Sequence, residues 1–170
     1  MLPSIIFVVF PFCMAFAAIS DVLSMTIANR VSVILVLTFM VVAPMTGMGW
    51  DTYLWHLSAG MLVLAVTFGL FAIGGMGGGD AKLLSATAVW MGMGMVLLQY
   101  VVYATLFGGA LTLAILIYRN SPLSVYTGHM MFLRHFANEK AGVPYGVALA
   151  AGGMIAFPST ELAMWAMNQF

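Results

Sequence analysis

Apolar residues along this chain come in long runs separated by short polar or glycine-rich stretches. The first run extends from Leu2 to about Ser20, the second from Val31 to about Met45, and the third from Tyr53 to about Ile73. In hydrocarbon, backbone N–H and C=O groups must be paired internally, so apolar runs of about 20 residues are read as helices that cross a bilayer. Each run stops at a polar or turn signal: Asp21, then Pro44 to Asp51, then the glycine cluster from Gly74 to Gly79. The run from Ala81 to Tyr118 would, as one helix, extend about 57 Å, nearly twice the roughly 30 Å hydrocarbon core. It must break, and Gly92 and Gly94 mark the place. A short fourth helix from Ala81 to Met91 and a longer fifth from Met95 to Tyr118 result. The sixth run, Val143 to about Met167, holds Pro144, Gly152, Gly153 and Pro158, which membrane helices tolerate where neighbours re-satisfy the backbone.

The expected fold class is all-α: a polytopic membrane protein of six transmembrane helices, with residues 1–170 forming a single membrane-embedded domain. Composition agrees. Hydrophobic residues make up 64% of the chain and charged residues 6%, against roughly 25% charged in a soluble domain. Five Lys plus Arg balance five Asp plus Glu, so no basic field exists to hold nucleic acid. The basic residues Arg30, Lys82, Arg119, Arg134 and Lys140 fall in the loops after helices one, three and five, all on one side. The positive-inside rule makes that side cytoplasmic and puts both termini outside. Had helix four failed to cross, Arg119, Arg134 and Lys140 would change sides and the bias would dissolve. Ala15-Phe16-Ala17 fits a signal-peptide cleavage site. However, no Lys or Arg precedes the run, and cleavage there would leave the Asp21–Arg30 loop outside.

Ionisable groups near membrane depth are functional hypotheses by default, and two carboxylates qualify. Asp21 ends helix one at the cytoplasmic side and Asp80 starts helix four at that same side, so they share a depth and meet if helices one and four are neighbours. At about 4 Å and an effective dielectric near 20, two carboxylates repel by about 4 kcal/mol, roughly three pKa units. One then stays protonated. A carboxylate that takes a proton from water beside an acid that polarises the scissile carbonyl is what aspartic peptide hydrolysis needs. Taken singly, Asp80 reads as an N-cap and Asp21 as a water-boundary residue.

The run Gly77-Gly78-Gly79-Asp80-Ala81-Lys82-Leu83 resembles the GxGD motif of membrane aspartic peptidases, in the form found in prepilin peptidases. The stretch from Asp21 to Arg30, with Asn29 before Arg30, is similar to the first aspartate and loop of that family. Val143-Pro144-Tyr145-Gly146-Val147-Ala148 resembles its motif opening the last helix. Within the family the chain looks most like the small peptidases of Flp/Tad-type pilus systems. Helix one begins at Leu2 and Cys13 is the only cysteine, so neither the methyltransferase segment of the larger enzymes nor N-methylation is expected. Where the family loop often reads Ile-Pro-Asn, this one reads Ile27-Ala28-Asn29. The resemblance implies leader cleavage of a prepilin at the cytoplasmic face of the bacterial inner membrane, with Asp21 and Asp80 as the dyad. It implies no cofactor and no metal, and a substrate with a basic leader followed by an apolar helix.

Other residues have plainer readings. The glycines up to Gly77 and Gly79 either admit an extended substrate or form a turn. Lys82 either stabilises an ionised aspartate or anchors at headgroups. Asn29 reads as a cap of helix two, and Pro144, Tyr145 and Gly146 enter through the resemblance alone. Met130, Met131, Leu133 and Phe136 beside Arg134, His135 and Lys140 form an amphipathic linker at the interface. Topology separates His56 from His129 and His135, so no three-histidine metal site is expected. The sixteen methionines, scattered through every helix, read as gap-fillers. Trp50, Trp55, Trp90 and Trp165 read as an aromatic belt, Asp51 and Glu161 as boundary residues, and Cys13 as a buried thiol. Two rival functions remain open: a small transporter or channel using intramembrane carboxylates, and a noncatalytic pilus-assembly scaffold.

Overall fold

The computed structural model describes residues 1–122 and 142–169, and the regular elements among them are all helical. In chain order they are α1 (Leu2–Ser24), α2 (Asn29–Met45), α3 (Trp50–Ala72), α4 (Gly78–Met91), α5 (Met95–Arg119) and α6 (Tyr145–Ala156). A 3-10 turn at Phe157–Ser159 then leads into α7 (Glu161–Met167). The helices α1, α3 and α5 are long and apolar enough to cross a membrane. The pair α6 and α7, bent by 53° at the turn, makes a fourth span if taken as one. Of the six expected crossings, three or four therefore match helices of spanning length. α2 is apolar but has 17 residues, and α4 has 14, about 21 Å.

The position of α4 explains its brevity. Ala81, Leu83 and every residue from Ser85 to Met91 are buried, because α4 is flanked by α2, α3 and α6 and touched by α5. A helix enclosed by other helices needs neither the length nor the uniform apolarity of one facing lipid. Ser85 Oγ therefore donates to the Ala81 carbonyl at 2.6 Å, and the Thr87 and Tyr100 hydroxyls bond at 2.8 Å inside the bundle.

The chain connects α1 and α4 antiparallel. Phe10 of α1 and Trp90 of α4 pack at 5.2 Å between ring centroids, with Phe157 stacked on Phe10 at 4.6 Å and Phe39 at 6.0 Å from Trp90. From that aromatic core α1 runs eleven residues to Asp21 and α4 runs back ten to Asp80, close to equal rises at about 1.5 Å per residue. Both aspartates thus lie at one level of the bundle. The two helices are joined less by direct packing than by shared neighbours, since α2 and α6 each pack against both.

Several boundaries differ from the sequence reading. Helix one does not end at Asp21 but continues to Ser24. It ends where Met25 takes the left-handed conformation (φ 53°) and its N–H bonds the Asp21 carbonyl at 2.8 Å. Hydroxyls close this turn: Ser20 Oγ donates to the Thr26 carbonyl and Ser24 Oγ to the Ser20 carbonyl, both at 2.7 Å. Helix four starts at Gly78, so part of the glycine cluster is helical. Trp90 is not in an aromatic belt. It is 0% exposed and its Nε1 donates to the Leu35 carbonyl at 3.0 Å, whereas Trp50 and Trp55 are exposed as expected. Cys13 is buried and unbonded.

Candidate active site

Asp21 stands in the last turn of α1 and is 5% exposed. A buried carboxylate needs donors, and one comes from far along the chain: the Gly146 N–H donates to Asp21 Oδ2 at 2.7 Å. Gly146 is the second residue of α6, where backbone amides have no helical partner and the macrodipole favours a carboxyl group. Glycine leaves room there, because a Cβ would lie 2.9 Å from both Asp21 Oδ2 and Ile27 Cδ1 and would displace them.

Asp80 is the third residue of α4 and half-buried. Asp80 does not serve as the N-cap. Gly77 occupies that position, in extended conformation, without a side-chain cap bond. Instead the Asp80 carboxyl folds back over Gly77, with Oδ2 2.8 Å from where a Cβ of residue 77 would stand. It makes no hydrogen bond with the other described residues. Asp21 lies close enough to interact with it electrostatically.

Ile27 locks the two aspartate segments together. Its side chain sits against Gly79, where a Cβ would come within 3.3 Å, and against Gly146 on the other side. The glycines of the GxGD run thus have distinct tasks: Gly77 clears the Asp80 carboxyl and Gly79 clears Ile27. Flexibility is secondary, since only Gly74 of the cluster has a positive φ, +75°.

The remaining predicted residues divide. Lys82 is exposed and makes no ion pair with either aspartate; its Nζ donates to Asn29 Oδ1 at 3.0 Å, tying α4 to α2. Asn29 is not the cap of α2, because Ala28 holds that position and the Asn29 amide is committed to Lys82. Asn29 and Lys82 lie at one end of an apolar groove of about 680 Å³ between α2, α3 and α4. Arg30 is exposed and lines a separate groove of about 380 Å³ between α1 and α2. Pro144 is the buried N-cap of α6, and the Tyr145 ring lies over Gly108 of α5, where a Cβ would come 2.5 Å from it. The proposed linker residues Met130, Met131, Leu133, Arg134, His135, Phe136 and Lys140, with His129, lie outside the described residues.

Three residues of this region escape a reading of the sequence. Ile27 is one aliphatic residue among many. Thr87, further along the same face of α4 as Asp80, and Tyr100 of α5 form a buried hydroxyl pair. The seven-residue spacing from Asp80 to Thr87, two helical turns, was the available signal. Chemically, two carboxyls in mutual range, one on a backbone amide and one without a donor among the described residues, can share a proton and activate a water.

A family model described as the type IV leader peptidase family matches residues 8–117. That span includes Asp21, Ile27 and Gly77 to Asp80 and ends before α6. No curated protein and no solved structure matches the chain. With the match covering well over half its length, the chain belongs to the type IV leader peptidase family.

Proposed function

We propose that this protein is an aspartic endopeptidase that removes the leader from prepilins at the cytoplasmic face of the bacterial inner membrane, as a small Flp/Tad-type enzyme. Family membership makes it a leader peptidase. The observation that carries the mechanism is the meeting of Asp21 and Asp80, remote in sequence, at one level of the bundle and within electrostatic range. Two like charges so placed disfavour each other's ionisation, so one carboxyl keeps its proton while the other is ionised. The ionised carboxyl takes a proton from water as it attacks the scissile carbonyl, and the protonated one polarises that carbonyl and then protonates the leaving amine. The Gly146 N–H orients Asp21 through this cycle, and Ile27 holds the spacing.

On this reading the chain crosses six times with both termini outside, which puts the dyad at the inner leaflet. There a basic leader stays in the cytoplasm while the substrate's apolar helix lies laterally in the bilayer. The short, enclosed α4 supports a crossing that needs no lipid-facing length. Co-expression of a prepilin with Asp21→Asn or Asp80→Asn tests the reading. Each variant should accumulate in the membrane at the wild-type level and leave the leader uncleaved; full processing by either overturns the dyad.

A further inference from the structure

At the end of the bundle opposite the aspartates, a cavity of about 510 Å³ opens between the start of α3, the link from α4 to α5, and the start of α7. Met91, Met93, Met95 and Met164 line it together with His56 and Glu161. Three of these belong to the run Met91-Gly92-Met93-Gly94-Met95. Gly92, at φ +70°, ends α4, and Gly94 precedes α5. Methionine fills gaps in cores, but Met93, Met95 and Met164 are 40%, 70% and 45% exposed. Their side chains therefore keep accessible surface rather than being consumed in the core.

His56 is an independent sign of a ligand site. The residue is 3% exposed, and its Nδ1 lies 2.7 Å from the Val89 carbonyl. A carbonyl only accepts, so in the neutral ring Nδ1 carries the proton and Nε2 keeps a free lone pair. Nε2 has no hydrogen-bond partner among the described residues. Its charged neighbour, Glu161 Oε2, stands at 3.8 Å, beyond hydrogen-bond reach. An imidazole with one N–H fixed on a backbone carbonyl and the other nitrogen open is how histidine is presented to a metal. Phe39 stacks on the ring at 5.1 Å, and Gly92 lies so close that a Cβ there would come 2.8 Å from it, so the orientation is fixed.

Thioether and imidazole donors select soft ions, whereas Mg²⁺, Ca²⁺ and Mn²⁺ take oxygen ligands. We propose that His56 and the methionines of this cavity, led by Met93 and Met95, form a binding site for a soft monovalent cation of the Cu(I) and Ag(I) class. Glu161 balances its charge. Binding uses lone pairs, so the Nδ1–H keeps its hydrogen bond to the Val89 carbonyl and no electron is transferred. The proposal is independent of the peptidase reading.

Ag(I), which needs no reductant, is the probe. The purified full chain in detergent and chloride-free buffer, labelled at the methionine methyl carbons, is titrated by calorimetry and NMR. One Ag(I) per chain should bind saturably, shifting the methyl signals of Met93, Met95 and at least one of Met91 and Met164, while those of Met14 and Met61 stay in place. Met93→Leu with Met95→Leu preserves size and apolarity and should weaken binding at least about tenfold. His56→Asn, which keeps a donor for the Val89 carbonyl, should do the same, and Met61→Leu should change nothing. Should His56→Asn fail to fold, the methionine pair decides. Absence of saturable binding, shifts spread over unrelated methionines, or wild-type affinity in the methionine pair would overturn the site.

Discussion

At one end of α4, Asp80 folds over Gly77 and receives no hydrogen bond from the other described residues. At the other end, His56 lies against Gly92, stacks on Phe39 and commits Nδ1 to the Val89 carbonyl. Both ends use a glycine to bring an ionisable side chain against the backbone, but the energetic consequences differ. The Val89 carbonyl lies in the last turn of α4, where helical partners run out, so His56 closes the helix and stabilises the fold. The Asp80 carboxyl closes nothing, and among the described residues the charge that acts on it is another carboxyl. A polar side chain that ties down a loose backbone carbonyl holds structure, whereas a carboxyl that receives no such tie beside a like group is available for chemistry.

Substitutions at the glycine contacts and at the polar ties test this contrast. Gly146→Ala should have the largest effect, because its methyl displaces both Asp21 and Ile27. Cleavage of a prepilin by the purified enzyme should fall about 100-fold, with stability lowered by about 1–3 kcal/mol. His56→Ala should invert that profile. Leaving the Val89 carbonyl without its donor should cost about 1–3 kcal/mol in a denaturant titration, while kcat/KM of the folded fraction stays within about twofold of wild type. A large catalytic loss in His56→Ala would dissolve the distinction between the two ends. At Gly79, a Cβ 3.3 Å from Ile27 requires a shift of a few tenths of an ångström. Gly79→Ala should therefore lower cleavage less than Gly146→Ala does. Lys82→Met removes an exposed hydrogen bond to Asn29 and should change stability by less than about 0.5 kcal/mol and leave cleavage near wild type.

Much of this arrangement is legible in the sequence. Asp21 and Asp80 stand out because carboxylates are rare in apolar runs, and the break at Gly92–Gly94 follows from helix length against bilayer thickness. Other features depend on contacts that no single segment encodes. The extension of α1 past Asp21 rests on a left-handed Met25 and on the hydroxyls of Ser20, Ser24 and Thr26. Trp90 has the same sequence surroundings in a belt as in a core, and the Leu35 carbonyl 55 residues away decides between them. Ile27 gains its importance only when Gly79 and Gly146 converge on it. The short α4 looks unable to span until its neighbours enclose it.

Cooperation between the two aspartates can be read directly from single-turnover cleavage of a purified prepilin in detergent by Asp21→Asn, Asp80→Asn and the double variant. Groups that share one proton act as a unit, so each single substitution should reduce the rate by as much as the double, about 10²–10⁴-fold. A single variant that cleaves at the wild-type rate, or losses that simply multiply in the double, would show that the two carboxyls do not work together.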